Sequence, residues 1–560
     1  MPNLSPHKPR DRKGGNDILH RMHGWMWDAV VISAYAGMIA WIGWSQRRGG
    51  DDVRGFALGD RNMPWWAVLA SILAAEISAA TFLGAPGEGF AKRNFTYAQL
   101  AIGTILARLI VGALFIPAYY RHGVVSIYEF LEIRFGPRTR SWASATFLVT
   151  RLLASGTRLY VSAILVALAF EMATGSKPSP AGQMMIYAGA VVVVTLATAI
   201  YTAIGGIKAV IWTDLLQVGV LAAAVCFSIY YLLSAIPGGL AAVTGDLSRP
   251  GDMLFLTWGQ PEGTGAGAWV KMIFEEEYTL WTALLGATFV TLATHGTDQD
   301  MVQRMLTAPD KKRSAWAVVL SGIIDMPVVL SFLFIGILLS VFYQVHPDPN
   351  LPDKNPHVFP YFILHEMPPG LRGLVVAGVL ATAMGSLSTA LNALATSFCR
   401  DWLGHSGTGE GQTGGSVRAM QTATWGFAAL LAAVGIATAW AVIHIPGSRI
   451  IPIVLGIFGY TYGSLLGVFL VGLATRTRGS DTGNAIAMAS GFVVVAWLCR
   501  LPEVPLHALG IQISILPEWM PTLAFPWRVT AGTLVTVLVA LAFHTPTSRM
   551  ESMAASPARD

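Results

Sequence analysis

Apolar runs of about twenty residues recur along the whole 560-residue chain, and no polar stretch between them is long enough to be a domain of its own. A helix needs about 20 such residues to cross about 30 Å of hydrocarbon. Thirteen segments fit: 25–46, 64–88, 96–119, 141–172, 183–204, 209–235, 275–297, 314–344, 372–398, 417–443, 449–472, 483–500 and 526–544. Lipid accepts apolar side chains on every face of a helix, which a single soluble core cannot do. Only 12% of the chain is Asp, Glu, Lys or Arg, about half of the roughly 25% in a soluble domain. The expected fold class is an all-α integral membrane protein with about 13 transmembrane helices.

The formal charge is +5, but no basic run is long enough to form a nucleic-acid stripe. Lys and Arg in cytoplasmic loops account for such a charge in a membrane protein. The tail at 1–24 is polar and basic (Lys8, Arg10, Arg12, Lys13, Arg21). The segment after it exceeds the roughly 7–15 apolar residues of a signal core, so 25–46 reads as a retained, peripheral first helix. Arg47, Arg48, Arg61, Arg121, Arg134, Lys208, Lys311, Lys312, Arg400 and Arg476 fall on one side of a thirteen-span topology. They place the C-terminus in the cytoplasm and the N-terminus outside the cell membrane, although the basic tail argues the other way. Loops 236–274 and 345–371 are then external, and 401–417 is a mobile Gly/Ser-rich loop. Cys226, Cys399 and Cys499 read as buried, inert thiols.

Chemistry is expected where charge interrupts the apolar blocks, at Glu76, Arg108, Arg151, Arg158, Asp214 and Asp325. A charge at the bilayer centre costs at least about 2.5 kcal/mol, so it must find a partner, a cavity or water. Arg108 and Arg151 can also snorkel; the short Glu76 and Asp214 cannot. Two spans are interrupted by polar residues, the second after Ala75 (Glu76, Ser78, Thr81) and the seventh after Ala293 (His295, Gly296, Asp298). Broken helices free carbonyls for a cation and helix N-termini for an anion, and two breaks five spans apart fit an inverted 5+5 repeat. In the ninth span Ser386, Ser388, Thr389 and Asn392 fall within two turns. Their oxygens suit an alkali cation, but composition alone favours close helix packing. Gly205 and Gly206 predict a turn between the fifth and sixth spans. HExxH, GxSxG, P-loop and CxxC patterns are absent, so no catalytic residue, enzyme activity or organic cofactor is expected.

Six motifs in order carry a resemblance that runs from about Phe56 to Thr477. They are FALGDRNMPWWAVLAS (56–71), YEFLEIRFG (128–136), TAIGGIKAVIWTDLLQ (202–217), TDQDMVQR (297–304), ATAMGSLSTALNALAT (381–396) and YGSLLGVFLVGL (462–473). The chain resembles the sodium/solute symporter family, which includes the sodium–glucose, proline and sialic-acid symporters. The resemblance implies a LeuT-like core of two inverted repeats, 64–235 and 275–472, with peripheral helices at 483–544 and a tail at 545–560. It implies import of a small solute by sodium symport through alternating access, without an obligate protein partner. Proton coupling and a non-transporting solute sensor are the alternatives.

Carried over, the sodium ligands are the carbonyls of Ala74, Ile77 and Thr382 and the side chain of Ser386. The other usual hydroxyl position is Gly385, a departure that weakens the site. Asp214, Ser388 and Thr389 match a possible second sodium site and are expected to compensate. The expected solute site lies beside the two breaks, with Glu76, Ser78, Thr81, Gln99, His295 and Asp298. Sugar-binding relatives tend to carry an amide near Glu76, so the acid there argues against a simple sugar.

Overall fold

The computed structural model describes residues 16–47, 53–174, 178–247, 249, 251–404, 413–444, 450–503, 516–517 and 520–555. The start of the N-terminal tail, residues 405–412 of the Gly/Ser-rich loop and the last five residues lie outside these ranges. Among the described residues the chain is helical, apart from one bridge between Arg478 and His544.

The principal helices are α1 (Asn16–Ser45), α2 (Trp65–Glu76), α3 (Ala79–Lys92), α4 (Thr96–His122), α5 (Pro137–Thr174) and α6 (Pro180–Ala235). They continue with α7 (Thr288–Gly296), α8 (Gln299–Met305), α9 (Lys311–Val345), α10 (Leu371–Asp401) and α11 (Thr413–His444). The last are α12 (Ile450–Ala474), α13 (Asp481–Leu498) and α14 (Phe525–Leu541). Nine helices among the described residues are long and apolar enough to span a membrane, or ten with α2–α3 taken as one bent span. α6 has 56 residues, about 84 Å if it were straight at 1.5 Å per residue. It turns at Gly206, whose φ of 55° and ψ of −150° suit glycine; a Cβ there would meet the Phe56 carbonyl oxygen at 2.7 Å. The turn expected at Gly205–Gly206 therefore rests on one residue.

Local sequence starts these helices where the bends require it. The hydroxyls of Ser78, Ser179 and Ser480 and the carboxylate of Asp310 accept backbone N–H groups in the first turns of α3, α6, α13 and α9. Small residues set the distances between helices: a Cβ on Gly336 of α9 would lie 2.6 Å from the Phe90 nitrogen of α3. Phe82 packs edge-on against Phe332 and Phe359 at 5.5 and 5.7 Å. Large apolar side chains also point outward, among them Trp27, Trp41, Trp44 and Leu538. That surface suits lipid. Cys226 is exposed on it, contrary to the expectation of a buried thiol, because its position falls on the outward face of α6.

The long loop after α6 is fixed in place. Arg93 reaches Asp246 at 2.8 Å and Asp252 at 3.3 Å, and Phe95 N donates to the Leu254 carbonyl at 2.8 Å. α1 is docked by a single carboxylate. Buried Asp28 accepts from the Gly370 and Gly373 amides, both at 2.8 Å, at the start of α10, and from Arg372 at 2.7 Å. Removing one partner of a buried charge pair costs about 3–5 kcal/mol. Asp28→Ala is therefore expected to lower the unfolding temperature in detergent markedly, and an unchanged temperature would show that α1 is held by packing alone.

Candidate functional site

The site starts from the break between α2 and α3. α2 stops at Glu76, Ile77 takes an extended ψ of 95°, and α3 restarts after Ser78 at an angle of 64°. Ile77 N still bonds the Leu73 carbonyl at 3.1 Å. The later carbonyls of α2, including Ala74, lose the N–H groups that a continuous helix would supply. Ser78 Oγ accepts from Thr81 N at 3.3 Å and lies 3.3 Å from the Thr81 hydroxyl.

The second break falls at Thr297 and Asp298, between α7 and α8. A six-residue π-turn, Thr282–Ala287, leads into the nine residues of α7, so the interruption closes the apolar stretch instead of dividing it.

Charged side chains clamp both breaks. Glu76 pairs with Arg108 of α4, and His295 Nε2 of α7 lies 3.0 Å from Glu76 Oε1. Arg108 is fully buried and donates to Ser321 Oγ of α9 at 3.2 Å. Asp298 pairs with Arg151 of α5 and accepts from the Tyr462 hydroxyl of α12. Its other oxygen accepts from Asp300 N at 2.9 Å. Arg151 also reaches Asp300 at 3.0 Å, and Asp300 binds Arg304 at 2.8 Å. Arg304 in turn donates to the Ser71 carbonyl of α2 at 2.5 Å. Arg108 and Arg151 are thus paired within the bundle and do not snorkel.

Six residues were expected around the solute; the fold sets Glu76 beside His295 and Ser78 beside Thr81, and engages Gln99 and Asp298 elsewhere. Gln99 is fully buried, donating to the Tyr278 carbonyl at 2.7 Å and accepting from Thr257 N at 3.2 Å. Its amide ties the long loop to α4 and has no free end toward a cavity. Asp298 is spent on Arg151 and Tyr462. Glu76 faces Arg108 of α4 and His295 of α7. Ser78 alone of the six lines a small cavity, with Thr81 bonded beside it.

That cavity lies between the start of α3 (Ser78, Ala79), α5 (Ser155, Arg158, Leu159) and α10 (Ala383, Ser386, Leu387). At about 10 Å³ it has the space of one water. Arg158 was noted in the sequence only as one intramembrane charge among several. Its guanidinium lies over the Phe458 ring at 5.1 Å and makes no ion pair among the described residues. A cation and a helix N-terminus sharing one cavity favour an anionic group there.

The oxygen-rich face of α10 meets α2 and α6. The hydroxyls of Thr382, Ser386, Ser388 and Thr389 donate to carbonyls of their own helix at 2.8–3.2 Å. With its proton spent, each hydroxyl oxygen presents lone pairs only. Asp214 is fully buried; one oxygen accepts from Ser71 Oγ at 2.5 Å and the other has no partner. A Cβ at Gly385 would lie 3.4 Å from the Ala74 carbonyl oxygen, which places the α2 break against α10. Ala74, Gly385, Ser386 and Asp214 therefore border one region.

A second, larger cavity of about 230 Å³ lies between α4, the π-turn, α9 and the start of α14. Tyr97, Glu277 and Asp325 are among its polar lining residues.

Comparison with known proteins follows the same lines. A sequence model described as the sodium:solute symporter family matches residues 56–491. The sodium-coupled monocarboxylate transporter 1 of Homo sapiens is 26% identical over 88% of this chain and 76% of its own length. The sodium/sialic acid symporter NanT of Aliivibrio fischeri is 25% identical over 86% of this chain and 89% of its own. Among solved structures, a Na+-coupled sialic acid symporter in a substrate-bound outward-open state superposes with a TM-score of 0.73. It is 20% identical and covers 95% of this chain and 99% of that one. The shared fold is the LeuT-like one.

Proposed function

The chain belongs to the sodium:solute symporter family, and from that premise we propose that it imports a small organic anion, recognised through a carboxylate, together with sodium. It is a multi-pass membrane transporter coupled to sodium, not an enzyme. The observation that carries the substrate class is Arg158, an arginine without an ion pair among the described residues, in a cavity shared with the N-terminus of α3. Relatives named for monocarboxylates and for sialic acid support the same reading.

In this proposal the carboxylate meets Arg158, with Ser78, Thr81 and Ser155 as neutral hydrogen-bonding partners. The cavity holds about one water, so the solute enters only when α3 and α10 part from α5. Sodium is held by the carbonyls of Ala74, Ile77 and Thr382 and by Ser386, with Asp214, Ser388 and Thr389 as a second cluster. A cation bound between α2 and α10 holds the α2–α3 break open to the solute, and this linkage makes transport sodium-dependent. Residues 64–235 and 275–472 form the two repeats, thirteen segments cross the cell membrane, and the C-terminus lies in the cytoplasm.

Hydrogen bonds to a charged group contribute about 1.5–3 kcal/mol. Arg158→Gln is therefore expected to weaken binding of a carboxylate solute by about 10- to 100-fold. A neutral isostere of that solute should lose little. Thermal stabilisation of the purified protein by a panel of carboxylates, amino acids and sugars in sodium buffer identifies the class. Equal stabilisation of wild type and Arg158→Gln by the best carboxylate would refute the assignment.

A further inference from the structure

Gln217 sits on α6 three residues after Asp214, so the two side chains share a helix face. It is 2% exposed, and its amide oxygen has no hydrogen-bond partner. An unsatisfied buried polar group costs about 1–3 kcal/mol, so such a carboxamide calls for a ligand or a function. The Tyr35 and Tyr201 hydroxyl oxygens lie beside it, within reach of the amide N–H groups, and both hydroxyls also contact Met384, the sulfur at 3.8 Å and the carbonyl at 3.4 Å; the amide oxygen is the end left without a partner.

The direction of the amide is informative. A Cβ on Gly385 would lie 2.6 Å from Gln217 Oε1 and 3.4 Å from the Ala74 carbonyl oxygen. The glutamine oxygen therefore takes the space that a side chain at 385 would need. It faces the place where the broken end of α2 presents a carbonyl. The unpartnered oxygen of Asp214 comes from the same helix. Carbonyl, carboxamide and carboxylate oxygens are hard donors suited to a small alkali cation, and none of them carries a proton.

Resting on the sodium-symport reading, we infer that the Gln217 carboxamide oxygen is a sodium ligand in this chain, supplying from α6 the oxygen that Gly385 lacks on α10. Gln217 belongs to the motif at 202–217 that carries the resemblance, and glycine at 385 leaves the volume into which the Gln217 oxygen reaches. Asp214, Ser388 and Thr389 are not required to compensate for Gly385.

Sodium titration of thermal stability in choline buffer, read without any solute, tests the inference. Gln217→Met keeps the volume and removes the oxygen. Its sodium-free unfolding temperature should stay close to that of wild type, because the loss of the amide's contacts with the tyrosines is offset by removal of a buried, unpartnered oxygen. Its half-saturating sodium concentration should rise by about 10- to 100-fold, the range seen when groups supporting a metal site are removed. Gly385→Ser alone should crowd the amide and weaken sodium binding. Gln217→Ala with Gly385→Ser restores a hydroxyl on α10 and should return the sodium response to within a few-fold of wild type. Wild-type sodium affinity in Gln217→Met, or a double variant no better than Gln217→Ala, would overturn the assignment while leaving sodium symport intact. A wild type that does not respond to sodium would overturn both.

Discussion

Arg151→Met is expected to destabilise the protein by about 4 kcal/mol, the scale for removing one partner of a buried ion pair. Arg151 faces two carboxylates, Asp298 and Asp300, both on the α7–α8 break and both buried. Asp300 keeps Arg304, and Asp298 keeps only the Tyr462 hydroxyl and the Asp300 amide. The cost therefore falls on Asp298. It should be relieved by Arg151→Met with Asp298→Asn, which removes the buried charge along with its partner. Thermal unfolding in detergent with sodium and solute absent separates this from any effect on binding. A single variant that unfolds at the wild-type temperature would show that α7, α5 and α12 do not depend on this pair.

Glu76→Gln is expected to cost about 3 kcal/mol by the same reasoning. Arg108 is fully buried, and Glu76→Gln leaves it with neutral acceptors, the Ser321 hydroxyl and the new amide oxygen. Glu76→Gln with Arg108→Met should recover most of that loss. The pair also decides what Glu76 does. Its carboxylate faces α4 and α7, whereas the Arg158 cavity lies against α5 and α10. Solute affinity in the stable double variant is therefore expected to stay within about threefold of wild type, well under the 1.4 kcal/mol of a tenfold change. A stable double variant that no longer binds solute would return Glu76 to the binding site.

The class of this protein was legible in composition and spacing. Each of the thirteen apolar segments contains helix in the described residues, and α2–α3 bends at the residues where Glu76, Ser78 and Thr81 interrupt the apolar run. Gly206 turns α6 where the GG pair predicted it. These are local properties: a span is apolar over its own length, and a break is polar or glycine-rich at its own residues. The sequence alone did not show that the seventh segment would close with a π-turn and a nine-residue helix, because nothing in TALLGATFV distinguishes a π-turn from an ordinary helix.

The roles of the charged residues were not legible. Asp298 looked like a solute ligand from its place at a break, and its partner stands 147 residues earlier in the chain. Gln99 was expected beside the solute and is held at both ends, by Thr257 in the loop after α6 and by the Tyr278 carbonyl ahead of the π-turn. Arg158 carried no mark to set it apart from Arg151, seven residues before it on the same helix. Gln217 stood in a quoted motif, yet the space it enters is created by a glycine on α10. The sequence by itself determined that the chain is a bundle of membrane helices broken at two polar points, since burial in lipid and helix continuity depend on neighbours a few residues away. The tertiary structure decided which charges cancel and which stay available to a ligand. A buried charge is defined by the groups within a few ångströms of it, and here these come from helices far apart in sequence.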